Sequence, residues 1–238
     1  MRTQRLELDD QNLREWDAVV LAASPEGIVL DRSAFYPGGG GQPPDHGVLI
    51  WQGVETRIVG ARKGDELELI PAEGDPIPVP GTAVRCAIAD ERRTALMRTH
   101  SALHVLCGVV FRDFGALVTG GNMEPYTARM DFNLPQVPPG FKQMIEDACN
   151  AEIAADRRID IRVLPREEAF QIPDIIRTAT NLVPETVQQV RIVDIVGLDC
   201  QADGGTHVAS TKQIGRVRVA KVESKGKGFR RVRLEVVD

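Results

Sequence analysis

The chain has 238 residues, 29 Lys and Arg against 34 Asp and Glu, a net charge of −5, and 42% hydrophobic but only 5% aromatic residues. That length buries a core without disulfides or metal staples, and the aromatic content leaves little for base stacking on single-stranded nucleic acid. The start MRTQRLELDD is charged, and no apolar run approaches the roughly 20 residues that a spanning helix needs, so a cytoplasmic protein with no membrane contact is expected. Cys86, Cys107, Cys149 and Cys200 form no CxxC pair and are expected to be reduced and mostly buried.

Residues 1–89 read as strands. Gly27 to Asp31 is a short apolar strand, Gly47 to Val59 alternates about a turn at Gly53, and Asp65 to Ile70 alternates again, with an exit through Ala83 to Ile88. Pro37, the run Gly38 to Gly41, Pro43, Pro44, Gly74, Pro76, Pro78 and Pro80 exclude long helices there, and a small barrel or sandwich fits. Asp90 reads as the N-cap of a helix that stops at Gly115. A second helix is predicted after Pro138, Pro139 and Gly140, with Phe141, Met144, Ile145, Ala148 and Ile153 near one face, running to about Arg158. Ile159 to Val163 and Val187 to Ile195 read as strands, and Ile214 to Val222 pairs with Phe229 to Val237 across SKGKG. No internal repeat appears. The fold class predicted is α+β, with domains 1–89 and 90–238.

Three of the four histidines fall into two clusters. His100 and His104 lie one helical turn apart, so their imidazoles share a face about 6 Å apart along the axis and could chelate one ion. DCQADGGTHVAS places Asp203 and His207 four residues apart around Gly204 and Gly205, a turn that lets both side chains face one point. Together they supply three imidazoles and a carboxylate, a set compatible with tetrahedral zinc or another borderline divalent ion. Cys107 and Cys200 are alternative ligands, though each reads more naturally as a structural cysteine. His46 has no nearby partner in sequence and reads as a surface or structural histidine.

Four segments carry a family resemblance: FYPGGGGQPPDHG, MRTHSALHVL, DCQADGGTHVAS and VESKGKGFRRVR. In that order they resemble the glycine-rich loop, the HxxxH helix, the D-x-Q-x-C-G-G-T-H segment and the basic hairpin of the free-standing AlaX-type alanyl-tRNA editing proteins, relatives of the editing domain of alanyl-tRNA synthetase. The resemblance implies a small glycine-rich N-terminal β-barrel followed by a zinc-binding α+β editing domain. It also implies metal-dependent hydrolysis of the ester on tRNA(Ala) mischarged with serine or glycine. His100, His104 and His207 fall on family zinc ligands, while Asp203 stands where the family has cysteine. Gly38 stands where many relatives have glutamate or alanine. Gln42 matches the GGGQ glutamine, so Gln42 and Asp203 are the candidate catalytic residues. Thr206 is a candidate for substrate binding, with Ser33 and Thr99 as further hydroxyls able to sense serine.

Between Lys212 and Asp238 nine basic residues stand against Glu223, Glu235 and Asp238. Lys225, Lys227, Arg230 and Arg231 are the candidate tRNA phosphate contacts, which would make binding salt-sensitive. A complete synthetase is excluded by length. A catalytically impaired tRNA-binding module, and a metal-dependent hydrolase of another small ester or amide, are the alternative functions. No oligomeric state is read from the sequence.

Overall fold

The computed structural model describes residues 3–64 and 66–238. The chain forms two compact units, the first ending at Thr94 and the second spanning Ala95–Asp238.

The first unit contains β1 (Gln4–Arg5), β2 (Glu15–Ser24), β3 (Gly27–Leu30), β4 (Arg32–Ser33), β5 (Gly47–Trp51), β6 (Val54–Lys63), β7 (Leu67–Pro71) and β8 (Ala83–Ile88). Strands β2, β3, β7, β6, β5 and β8 close a barrel in that order, every pair antiparallel. Closure leaves no free edge, and it resolves the choice between barrel and sandwich. Strand β2 was not legible because outward Val19 and the run Leu21-Ala22-Ala23 blur the alternation of inward Trp16, Ala18 and Val20 with Glu15 and Asp17. Of the stretch Asp65 to Ile70, Asp65 lies outside the described residues. Gly47 is the only residue type that fits its place, since a Cβ there would lie 2.1 Å from the Ala87 carbonyl oxygen.

The loop between β4 and β5 carries the glycine run. Gly38, Gly39, Gly40 and Gly41 all take left-handed backbone angles, with φ of 87°, 136°, 59° and 92°, a conformation that side-chain-bearing residues resist. Gly39 and Gln42 exchange backbone hydrogen bonds, and the Tyr36 hydroxyl donates to the Gly39 carbonyl. The base of the loop is pinned by Asp45, which accepts from the Tyr36 N–H at 2.7 Å and forms a fully buried ion pair with Arg93. Arg93 also donates to the Ala34 and Gln11 carbonyls, so the buried guanidinium is well satisfied.

Helix α1 (Asp90–Phe114) follows. Asp90 is its first residue rather than its N-cap: the Ala89 carbonyl accepts the first helical bond from Arg93, and the Asp90 carboxylate binds Arg14. The second unit then holds β9 (Val118–Glu124), β10 (Thr127–Phe132), α2 (Phe141–Ala154), β11 (Ile159–Pro165), α3 (Arg166–Ala169), β12 (Gln189–Ile195), β13 (Asp199–Ala202), β14 (Arg216–Ser224) and β15 (Arg230–Val237). One antiparallel sheet runs β14-β15-β10-β9 and a second runs β11-β12-β13. From Ala95 to Val110 α1 is buried on nearly all sides, within a core that includes Met123, Phe132, Ile145, Val193, Val219 and Val232. No helix among the described residues is long and apolar enough to cross a membrane.

Three expectations change here. Helix α2 stops at Ala154, four residues early, as Asp156 turns to a φ of 51°. Its buried face is Phe141, Ile145, Cys149, Glu152 and Ile153, which leaves Met144 exposed, because Met144 lies about 100° round the helix from that stripe. The segment Asp199–Ala202 is a strand paired with β12, not turn, so only the residues from Asp203 onward form the loop.

Candidate metal centre

The row His100, His104 and Gly108 runs along one face of α1, and the loop after β13 brings Asp203 and His207 to it. One potential ligand atom from each of His100, His104, Asp203 and His207 lies within 4.8 Å of every other. Neither Cys107 nor Cys200 is in the cluster. The His100 and His207 rings stack at 4.3 Å, and His104 stands edge-on to both at 5.1 Å and 4.7 Å. Asp203 lies between them: its Oδ1 is 3.6 Å from His100 Nε2 and its Oδ2 is 3.0 Å from His207 Nε2.

Two of the rings are held from behind. The second nitrogen of His207, Nδ1, is 3.2 Å from the Ser101 hydroxyl, and that hydroxyl also accepts the Val208 N–H. Nδ1 of His104 is 3.1 Å from Asp199 Oδ2. The loop itself is braced by Asp203, whose Oδ2 accepts the Gly205 N–H at 2.6 Å. This side-chain bond makes the turn, and neither Gly204 nor Gly205 takes a left-handed φ. Arg191 on β12 donates to the Asp203 carbonyl at 3.1 Å and stands 4.0 Å from its carboxylate.

These surroundings prepare the nitrogens as ligands. Burial pushes the His100 imidazole down to about 4 against the opposing charge of Asp203, and burial together with His100 holds His207 well below the ordinary range. Burial also pushes His104 downward, but the Asp199 hydrogen bond and the Asp203 charge outweigh it and raise it. Burial disfavours charge on Asp203, yet the imidazoles around it keep its carboxyl well below the usual value. The donor set is three imidazole nitrogens and one carboxylate oxygen, and ligand atoms around a single tetrahedral zinc sit about 3.4 Å apart. The 3.0 Å and 3.6 Å separations at Asp203 match that spacing, so the residues fit a divalent ion.

Other candidates fall elsewhere. Gln42 is buried on the glycine loop of the first unit. Thr206 is buried next to His207 in the chain. The Thr99 hydroxyl is committed to the Ala95 carbonyl and the Tyr126 N–H, and the Ser33 hydroxyl accepts the Phe35 N–H. Lys225 and Lys227 are exposed at the tip of the β14–β15 hairpin. Arg230 donates to the Phe229 and Pro135 carbonyls, and Arg231 is held by both oxygens of Asp131 at 2.7 Å with its side chain 15% exposed. Sequence reasoning missed Ser101, Asp199 and Arg191. A carboxylate four residues before Asp203 was the available signal for Asp199; nothing marked the other two.

The profile of the family described as threonyl and alanyl tRNA synthetase second additional domain matches residues 190–233, a stretch that includes Arg191, Asp199, Asp203, His207 and the basic hairpin. The alanyl-tRNA editing protein AlaX-M of Saccharolobus solfataricus is 39% identical, covering 97% of this chain and 97% of its own. AlaX-M of Methanosarcina acetivorans is 33% identical over 99% of this chain and 100% of its own. The alanine–tRNA ligase of Pyrococcus furiosus is 34% identical over 97% of this chain, which corresponds to 25% of the ligase. Mutual coverage is near-complete with the two editing proteins, whereas the match takes in a quarter of the ligase. The chain belongs to the family of free-standing AlaX-type alanyl-tRNA editing proteins.

Proposed function

We propose that this protein is a trans-editing hydrolase that removes serine or glycine from mischarged tRNA(Ala), using one zinc ion held by His100, His104, Asp203 and His207. The convergence of those four residues from two distant stretches of chain supports the reading most directly. A bound zinc ion would supply Lewis-acid polarisation or a lowered water pKa. The chain's own groups do the rest. The three imidazoles are buried, and two of them are kept in the neutral form, with one nitrogen open to an ion, at neutral pH. Asp203 is the ligand most open to exchange, being a partly exposed carboxylate already shared with the Gly205 N–H. Arg191 adds positive charge beside it, the sign that suits an oxyanion. Gln42 is assigned to orienting water or substrate, and Thr206 to contacting the amino acid. Lys225, Lys227 and Arg230 are assigned to phosphates, and Arg231 to fixing the hairpin through Asp131.

The test is release of amino acid from tRNA(Ala) preloaded with serine, glycine or alanine, with and without a chelator. Release of serine or glycine that stops on chelation and returns with zinc is expected. Binding of tRNA without hydrolysis would instead identify an impaired tRNA-binding module. Chelator-sensitive turnover of simple esters, with none of the charged tRNAs, would identify a different hydrolase.

A further inference from the structure

Resting on the metal-centre reading above, we propose that Asp199 is the positioning residue of this centre: it fixes His104 so that its Nε2 is the ligand atom, and Arg177 and Gly108 exist in their present form to hold Asp199 there.

The Asp199 side chain is shut off from solvent. Its Oδ2 lies 3.1 Å from His104 Nδ1 and accepts from Gln201 Nε2 at 2.6 Å, and its Oδ1 accepts from Arg177 Nε at 3.3 Å. A carboxylate paired with a guanidinium only accepts, so the hydrogen of the His104 contact resides on Nδ1. The Nε2 lone pair is then the one left for an ion. A carboxylate behind a ligating imidazole fixes its tautomer and ring orientation and increases its basicity.

Two independent features show that the fold is shaped around this contact. The Arg177 side chain, only 10% exposed, lies over the Phe111 ring at 3.7 Å, so the guanidinium that neutralises Asp199 is itself clamped. Gly108, one turn beyond His104, has no side chain to keep the Leu198–Asp199 backbone away. A Cβ at Gly108 would sit 3.0 Å from Asp199 Cβ, 2.8 Å from Leu198 Cγ and 3.1 Å from the Leu198 carbonyl oxygen. A buried ion pair is seldom the most stable filling for a core, and the contact it makes here is with a ligand. His207 is braced differently, by the neutral Ser101 hydroxyl.

Zinc affinity of the full-length protein, measured by competition with a chromophoric chelator, tests the assignment. Asp199→Asn is expected to weaken binding roughly 10–100-fold and to shift the absorption bands of the Co2+-loaded protein. Because that change removes the buried one of the two carboxylates paired with Arg177, the other being Asp174 at 3.8 Å, a double variant, Asp199→Asn with Arg177→Met, removes both buried charges and is expected to show the same loss with a native circular dichroism spectrum. Wild-type zinc affinity and unshifted Co2+ bands in either folded variant would overturn the role given to Asp199 while leaving the centre intact. A wild-type protein that binds neither ion would remove the centre itself, and the inference with it.

Discussion

Asp203 shows how much one side chain decides. Its Oδ2 braces the loop through Gly205 and faces His207, while Oδ1 faces His100, so a single carboxylate shapes the turn and completes the donor set. Thiolate is the softer donor and suits zinc better. Asp203→Cys is therefore expected to slow zinc loss to a chelator, and a faster loss in that variant would mean that Asp203 does not face the ion. At this scale the sequence was informative where chemistry is concentrated: three of only four histidines, with an aspartate in the same glycine turn, named the cluster. It was silent on Ser101 and Arg191, because a serine inside a helix and an arginine on a strand look like many others until tertiary contacts bring them to His207 and Asp203.

Among the elements, the β14–β15 hairpin divides its charges by face and by partner. Arg218 pairs with Glu235, Arg233 with Glu223 and Arg231 with Asp131, so much of the basic run is spent within the sheet. Lys225 and Lys227 are exposed in the turn at the tip, beyond the last paired residues Ser224 and Arg230. Replacing both with alanine is expected to raise the KM for tRNA and to reduce the slope of log affinity against log salt by about 1.5, at roughly 0.7–0.9 per phosphate contact. An unchanged slope would place the contacts elsewhere. The hairpin was legible from two alternating runs about a Gly-Lys-Gly turn. The β9–β10 hairpin was not, since Gly120, Gly121 and Pro125 mask a strand pair whose inward residues are Met123 and Met130. Four-residue β13 was hidden inside a motif that drew attention for its chemistry.

For the molecule as a whole, the order of strand and helix patterns pointed to an α+β chain that begins with a barrel or sandwich, and the first unit closes as a barrel. Barrel closure was beyond reach from sequence because β2 carries a weak pattern and pairing order is set by long-range register. Ion binding couples to global stability: zinc at 100 times its dissociation constant contributes about 2.7 kcal/mol, or roughly 5–10 °C in Tm for a chain of this size. Calorimetry of zinc-loaded and chelator-stripped protein is expected to show that difference, and coincident melts would argue against a site in the folded state. The donor set has a further consequence. Burial raises the thiols of Cys86, Cys107, Cys149 and Cys200 above their ordinary range, and no sulfur belongs to the cluster. Peroxide attacks thiolates first and converts a sulfur ligand to sulfenic acid. With an oxygen in that position, an ion bound at this centre would have no thiolate ligand to lose by that route, and zinc content is expected to be unchanged after peroxide treatment.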